Sequence, residues 1–219
     1  IMFAVRKKEN LHLSYMFLTL FDKENNEIIH EVPIKKQYQY AIVTKKRDVL
    51  LSAKRENDWS AGHSVDRFNI KSLKINSFIK TKNGFPMNII PWKENFVVMT
   101  GGNFSGPVHF EVFDKKGRYQ YEVIAEESAM LSPDAIHLDQ ETGKIICMPS
   151  VFGEKASDGS IELSYIVEVD LVKRKSQRKN VSIKYKYKFV DAITVDKKTN
   201  RVFIGAVGKK DPKDKFVLR

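Results

Sequence analysis

The chain has 219 residues and one cysteine, 42% of its residues are hydrophobic and 30% are charged, and its formal net charge is +11. This length and composition fit one large or two small folded domains and argue against intrinsic disorder. One cysteine excludes an intrachain disulfide framework and a cysteine-based zinc site, and no apolar run approaches the roughly 18 residues of a membrane-spanning helix.

The first part of the chain alternates apolar and polar residues over three runs, at 1–6, 11–21 and 26–32. This alternation predicts β-strands, because successive side chains of a strand point to opposite faces of a sheet. The last two runs are joined by residues 21–26 (FDKENN). An aspartate or asparagine at the start of a turn bonds nearby backbone amides, so we expect a tight hairpin here.

Two kinds of predicted hairpin alternate along the rest of the chain. The first kind comprises residues 38–52, 85–99, 134–146 and 191–203, and the second kind starts near Arg67, Phe110 and Tyr165. The last two copies of the first kind share the pattern D-A-I-x-[LV]-D-x-x-T, which indicates an internal repeat. Each repeat of roughly 46 to 57 residues therefore holds four strands, a to d, and no window shows the 3.6-residue period of a helix.

A repeating unit of four strands is typical of a β-propeller blade. We therefore predict an all-β fold, a β-propeller of four-stranded antiparallel blades, of which about four are visible. Whole blades are expected at about 38–80, 85–124 and 134–183, with partial blades at 1–32 and 191–219. Since both ends fall inside blades, we expect one propeller domain or fragment (1–219) of a six- to eight-bladed ring. Four blades closed by pairing the two partial ones are the alternative.

Two short motifs carry a resemblance to a known group. Residues 133–145 (PDAIHLDQETGKI) and the turn 113–118 (FDKKGR) resemble sequences of the NHL, TolB-like and YncE-like β-propellers. The turn is similar to one common in six-bladed propeller lipoproteins of bacteria. With Ile rather than Met at position 1, the resemblance implies an exported, periplasmic or cell-surface bacterial protein. Propellers host scaffolds, lyases, lactonases and sensors alike, so the resemblance implies a fold rather than an activity.

The predicted b–c loops are the first candidate binding surface. They span residues 53–66, 100–109, 149–160 and 206–214 and are longer than the turns at the other ends of the strands. Long loops on one side of a rigid scaffold usually carry binding. The candidate ligand-binding residues in these loops are Trp59, His63, Asn103, Phe104 and His109. The alternative is that Trp59 and Phe104 only cover the ends of the blades.

The start of the a strands is the second candidate site. The aligned first positions are Tyr38, Phe85, Asp134 and Asp191. Because the a strands line the central channel of a propeller, this column of two aromatics and two carboxylates would suit a cation or a polyol. The alternative is that Asp134 and Asp191 bond backbone amides of the preceding turn. The columns that follow at alternate positions, starting at Tyr40 and Ile42, are predicted to lie in the core.

The basic residues concentrate in hairpin turns, most densely at 173–179 (KRKSQRK). A positive charge of this kind would favour binding of nucleic acid, anionic lipid or acidic glycan. Lysine-rich turns also protect sheet edges and maintain solubility, and no aromatic residue that could stack on a base interrupts this run. We therefore expect no nucleic-acid partner, and anion binding by the basic turns remains a third hypothesis.

Catalytic motifs are missing from the sequence. There is no HExxH, GxSxG or Walker motif, and no GxGxxG before a helix. Glu126, Glu127 and Asp134 are weak acid–base candidates, and Cys147 is expected to be a buried spectator. We predict a non-catalytic scaffold without cofactor or metal that binds a protein, small-molecule or glycan ligand on the b–c loop face. The alternative is a lactonase-like hydrolase or a lyase with its site at the channel mouth.

Overall fold

The structure is a computed structural model in which every regular element is a β-strand among the residues that it describes. The described residues are 2–10, 13–22, 24–34, 38–44, 48–53, 63–101, 106–125, 131–149, 161–162, 165–180, 186–196, 198–199 and 201–208. The chain forms two compact units, Ile1–Ile89 and Ile90–Arg219. The strand expected at 214–219 lies outside the described residues. The all-β class that the alternation predicts is confirmed.

The first unit begins with a three-stranded antiparallel sheet of β1 (Met2–Asn10), β2 (Leu13–Asp22) and β3 (Glu27–Ile34), in that order. The turn between β2 and β3 forms as the sequence predicts, because the Oδ1 atom of Asp22 accepts the backbone N–H of Glu24 at 2.9 Å. β1 extends beyond the predicted run 1–6, and Asn10 pairs with Leu13 at the connection to β2.

The second sheet has four antiparallel strands, β4 (Tyr38–Val43), β5 (Val49–Ala53), β6 (Ser64–Asn69) and β7 (Lys74–Lys80), in chain order. It packs against the first sheet within this unit. The buried cluster between them comprises Leu18, Leu20, Ile34, Val49, Leu51 and Phe68, none more than 8% exposed. Alternate residues of β2 and of β5 reach this cluster, as the period of two requires.

The third sheet consists of β8 (Phe85–Trp92), β9 (Asn95–Gly101), β10 (Val108–Phe113) and β11 (Tyr119–Ile124), and the boundary between the two units falls within β8. Successive residues of its central strands are fully buried, for example Val97, Val98 and Met99 of β9. Since neighbouring residues of a strand point to opposite faces, both faces of this sheet are covered.

The fourth sheet is formed by β12 (Leu131–Leu138), β13 (Lys144–Pro149), β15 (Tyr165–Asp170) and β16 (Lys175–Asn180). The two-residue strand β14 (Ile161–Glu162), between β13 and β15 in the chain, belongs to another sheet. β14 is not predicted by the residue pattern, because two residues are too few to show an alternation.

The fifth sheet has the order β14–β17–β18, with β17 spanning Lys186–Asp196 and β18 spanning Arg201–Gly208. Ile161 pairs with Tyr187, so the connection between β13 and β15 contributes a strand to the next sheet. The internal repeat is visible in the strand register of the fourth and fifth sheets. Ile136 pairs with Cys147 and Leu138 with Ile145 in the first copy, and Ile193 with Ile204 and Val195 with Val202 in the second.

The residues predicted to form the core of the a strands are only partly buried. Ile89, Leu138 and Ile193 are buried, whereas Tyr40, Ile42, Met87, Ile136 and Val195 are half-buried. Ala135, which alternates with the predicted positions, is fully buried. It belongs to a cluster with Met148, Ile166 and Ile193 between the fourth and fifth sheets. The core prediction is therefore correct for three of the eight positions, and the alternation missed Ala135 because a sheet covered on both sides has two inward faces.

The third and fourth sheets meet at the turn between β12 and β13. Gly143 has a φ of +74°, and a Cβ atom built on it would lie 2.7 Å from Cζ2 of Trp92. Beside it, the side-chain amide of Gln140 donates to the carbonyl oxygen of Pro91 at 2.7 Å. The turn needs glycine both for its left-handed backbone and for the close approach of the indole ring.

We therefore predict that Gly143→Ala lowers the free energy of unfolding by about 2–4 kcal/mol, since it adds overpacking against Trp92 to the left-handed backbone cost. Gly117 has a comparable φ of +78° and serves as the matched control. Gly117→Ala is expected to cost only the backbone part, about 1–2 kcal/mol. Urea unfolding followed by circular dichroism measures both. Equal losses in the two variants would show that the contact with Trp92 is unimportant.

Candidate functional site

The structure describes two of the five predicted loop residues, His63 and His109, whereas Trp59, Asn103 and Phe104 lie outside the described residues. His63 directly precedes β6, is half-buried, and accepts the backbone N–H of Thr81 at its carbonyl oxygen at 2.9 Å. His109 lies within β10. These positions keep both residues close to the b–c connections, but neither is at the middle of a loop.

The imidazole of His109 faces a carboxylate of the neighbouring strand. Its Nδ1 atom is 3.3 Å from an Oε atom of Glu122, and both side chains are largely buried. The geometry is that of an ion pair when the imidazole is protonated, without the alignment of a hydrogen bond. His109 therefore contributes a contact between β10 and β11.

Two further polar residues on the same face of the third sheet were not recognised in the sequence. Glu111 is fully buried, and its Oε1 atom accepts the hydroxyl of Thr100 at 3.0 Å. Glu111 is also directly opposite Glu122 in the register of β10 and β11. Thr100, His109, Glu111 and Glu122 form what we call the blade polar cluster. The sequence signal was the H-x-E spacing within an apolar strand, which places two ionisable side chains on one face.

The blade polar cluster creates a negative environment inside the sheet. Burial, followed by the negative charges of Glu122 and Glu111, raises the pKa of Tyr119. Two opposed carboxylates repel each other, and buried charge is costly unless it is bonded. Among the described residues, no group of three or more His, Cys, Asp and Glu side chains has the arrangement of a metal site. The bonds that are present bind the cluster members to neighbouring strands.

Tyr38, predicted to line a channel, is anchored within the second sheet. Its hydroxyl donates to Oδ2 of Asp66 at 2.8 Å, and the other carboxylate oxygen accepts the hydroxyl of Ser64 at 3.3 Å. Asp66 is 2% exposed. Burial, then the hydrogen bond to Asp66, raises the pKa of Tyr38. The hydroxyl therefore joins β4 to β6.

The other members of the predicted column differ in their positions along the strands. Phe85 starts β8 and is half-buried, whereas Asp134 is the fourth residue of β12 and is exposed. Asp134 lies in an irregular stretch of the register, and the backbone of Asp191 lies at a similar irregularity in β17. The expectation that these aspartates begin their strands is wrong, because a bulge lets a strand continue past a residue that interrupts its pairing.

The aspartates at the turns behave as the sequence predicts. Their carboxylate oxygens accept backbone N–H groups two or three residues further along at Asp22, Asp114, Asp139, Asp170 and Asp196. The backbone N–H of Arg118 is the main reason that the pKa of Asp114 is below its ordinary value. These carboxylates therefore bond to the backbone of their own turns.

Cys147 is the buried residue that the sequence predicts. It is fully buried in β13, its Sγ atom lies 3.5 Å from the carbonyl oxygen of Val167, and burial raises the pKa of the thiol. A buried thiol with a raised pKa is a poor nucleophile.

We predict that Tyr38→Phe lowers the free energy of unfolding at pH 7 by about 1–3 kcal/mol, because it removes a bond to a buried carboxylate. The raised pKa of Tyr38 also makes the wild-type protein lose stability as the pH rises above about 10, where the unfolded chain ionises first. The contribution is fully present at lower pH. Urea unfolding from pH 7 to 11 should show a steeper decline for the wild type than for the variant. Parallel declines would contradict this role.

Substitutions of Thr100 test whether the bond to Glu111 in the blade polar cluster stabilises the fold. Thr100→Val removes a hydroxyl donor from the buried carboxylate of Glu111, and we expect a loss of about 1–3 kcal/mol in the free energy of unfolding. Thr100→Ser keeps the donor and is the matched control, with an expected loss below about 1.5 kcal/mol. Chemical denaturation measures both. A serine variant as unstable as the valine variant would assign the effect to packing.

Comparisons with known proteins identify the fold. No protein family matches the sequence, and no curated protein matches it. Among solved structures, the chain is similar to the WD40 domain of Pan2 from Neurospora crassa, with a TM-score of 0.53 and 14% sequence identity. The match covers 89% of this chain and 53% of that domain, so the chain spans about half its length. No helix long and apolar enough to cross a membrane is present in the described part of the chain. The predicted β-propeller fold of four-stranded antiparallel blades is confirmed.

Proposed function

We propose that this chain is a non-catalytic protein-binding scaffold whose partner contacts the b–c loop face. The observation that carries the proposal is the difference in connection length between the two ends of the sheets. The b–c connections span residues 54–63, 102–107 and 150–164, whereas the c–d turns span residues 70–73, 114–118 and 171–174. In the second, third and fourth sheets the b–c connection is therefore longer than the c–d turn, and long connections on a scaffold are where binding usually occurs.

The strand β14 supports a large contact surface on this side. It belongs to the longest b–c connection and pairs with the first residues of β17 through Ile161 and Glu162. This pairing fixes a part of the connection to the rigid sheet that follows. A fixed connection is suited to a protein partner, because less conformational entropy is lost when the partner binds.

The blade polar cluster supports a non-catalytic role. Glu111 is fully buried and accepts a hydroxyl, and His109 is opposite Glu122 on the neighbouring strand. Both groups therefore contact other strands of the same sheet. A general acid or base must instead be within hydrogen-bond reach of a substrate.

The proposal also includes a relationship to one group of β-propellers and a domain arrangement. The D-x-x-G-[KR] motif of the NHL, TolB-like and YncE-like group has a geometric explanation at residues 114–118. Asp114 accepts two backbone N–H groups, Gly117 takes the left-handed conformation, and Arg118 pairs with Asp114. We propose membership of this group, one propeller domain over residues 1–219, and an extracytoplasmic location.

Site-specific photo-crosslinking tests the proposed binding face. Benzoylphenylalanine replaces Trp59 or Phe104 on the b–c side, and Lys116 on the turn side, in the full chain. We expect one and the same partner protein to be crosslinked from positions 59 and 104 but not from 116. With the purified partner, Trp59→Ala and Phe104→Ala should each weaken binding by at least about tenfold, as truncation of an aromatic anchor at an interface does.

The control is Phe203→Ala, because Phe203 is an exposed aromatic residue of β18 outside the b–c connections. This variant should bind as the wild type does. Unchanged affinity in the two loop variants, or crosslinking from position 116 alone, would contradict the proposal. A stoichiometric metal in the purified protein would favour the alternative of a propeller enzyme.

A further inference from the structure

Two hairpins of the second unit, β10–β11 and β15–β16, are in contact. The hydroxyl of Tyr121 donates to the carbonyl oxygen of Leu171 at 3.0 Å, and the guanidinium carbon of Arg174 lies 4.2 Å from the centre of the Tyr121 ring. Further along, the hydroxyl of Ser176 donates to the carbonyl oxygen of Ile124 at 2.8 Å. These contacts join β11, the edge strand of the third sheet, to the β15–β16 turn and to the start of β16.

The surface of the turns of these two hairpins is densely cationic. We call it the basic turn surface and define it by its exposed cations, Lys115, Lys116, Lys173, Arg174 and Lys175. No ion-pair partner faces these five side chains in the described part of the chain. The positive charges therefore extend into solvent, where they can attract an anionic group.

The two carboxylates of these turns are bonded to their own turns. Asp114 accepts the backbone N–H groups of Lys116 at 2.8 Å and Arg118 at 2.9 Å, and it also pairs with the guanidinium of Arg118 at 2.7 Å. Asp170 accepts the backbone N–H of Lys173 at 2.8 Å. Both oxygens of Asp114 and one oxygen of Asp170 are used in this way, and no ion pair between these carboxylates and the exposed lysines is found among the described residues.

The non-charged parts of the surface favour a polypeptide over a nucleic acid. Val172 at the tip of its turn is 62% exposed, and Ile124 at the end of β11 is 48% exposed. Apolar contacts of this kind fit side chains of a peptide. Base stacking needs an accessible aromatic face, but Tyr121 is covered by Arg174 and bonded through its hydroxyl.

Further basic residues extend from the turn along the edge strand β16. It is the last strand of the fourth sheet and continues the cationic row to Arg178 and Lys179. Arg178 lies over the ring of Tyr165 at 3.8 Å, and Lys179 pairs with Glu168 at 2.6 Å. An extended chain that follows β16 from the turn would therefore pass Lys175 and then Arg178, whereas the charge of Lys179 is paired with Glu168.

We propose that the basic turn surface binds an acidic, extended segment of a partner protein. Charge complementarity with the five exposed cations attracts the segment, and apolar side chains between its acidic residues contact Val172 and Ile124. This inference goes beyond the proposed scaffold function, because the c–d turns are at the opposite ends of the strands from the b–c connections.

Binding of a fluorescent acidic peptide tests the proposal. The probe is a twelve-residue peptide of glutamate, aspartate and interspersed leucine, and its binding to the full chain is followed by fluorescence anisotropy. The test variant carries Lys115→Glu, Lys116→Glu, Lys173→Glu and Lys175→Glu. The control carries Lys71→Glu, Lys74→Glu, Lys80→Glu and Lys198→Glu, which are exposed lysines outside the surface and give the same net charge.

We expect the test variant to bind the peptide about 100-fold more weakly than the wild type, and the control about threefold more weakly or less, since only the former reverses the local charge. Val172→Ser should weaken binding about threefold or more. Trp59→Ala combined with Phe104→Ala should bind the peptide as the wild type does. If the peptide does not bind to the basic turn surface, the proposal that a partner contacts the b–c loop face is therefore unaffected.

Three results would overturn the proposal. The first is an equal loss of affinity in the test and control variants, which would show attraction by net charge alone. The second is tighter binding of a single-stranded DNA oligonucleotide than of the peptide, with loss of DNA binding in the test variant. The third is the same result with vesicles containing anionic lipid. Circular dichroism and thermal unfolding confirm that each variant is folded.

Discussion

Burial of both faces of the sheets is the constraint on which the structure depends. Consecutive residues of β9, such as Val97 and Val98, point in opposite directions and are both fully buried. Such a sheet cannot be stable alone, because each face needs a neighbouring sheet to exclude water. The chain meets this requirement by repeating the same unit, and the packing of Trp92 against Gly143 shows how closely adjacent repeats must fit.

The same constraint explains why polar residues occur inside the sheets. Glu111 and Asp66 are almost completely buried, and each accepts a hydroxyl from another strand of its sheet, from Thr100 and Tyr38 respectively. Buried carboxylates of this kind add to the specificity of strand packing only when they are bonded. The connections at the two ends of the strands differ in length and composition. Short turns bond their aspartates to the backbone and expose lysines, whereas the long connections carry the candidate binding residues.

The sequence predicted the strands well where alternation and turn residues agree. The aspartates at 114, 139, 170 and 196 bond backbone amides as expected. Prediction failed where the pattern carries no signal. β14 is too short to show an alternation, and the bulges beside Asp134 and Asp191 interrupt it. Glu111 alternates with apolar residues in β10, a pattern that indicates a solvent-facing side chain, although Glu111 is fully buried. An alternation of apolar and polar residues identifies only one buried face of a strand, whereas the strands of these sheets have two.

The position of β14 has a consequence for local unfolding. The connection that carries it leaves the fourth sheet after β13 and returns at β15, yet its strand pairs with β17 of the fifth sheet. Opening of the fifth sheet would release this pairing, and the released connection would then loosen the strands that flank it. We therefore expect the fourth and fifth sheets to open together, with shared protection of their amide hydrogens from exchange with solvent.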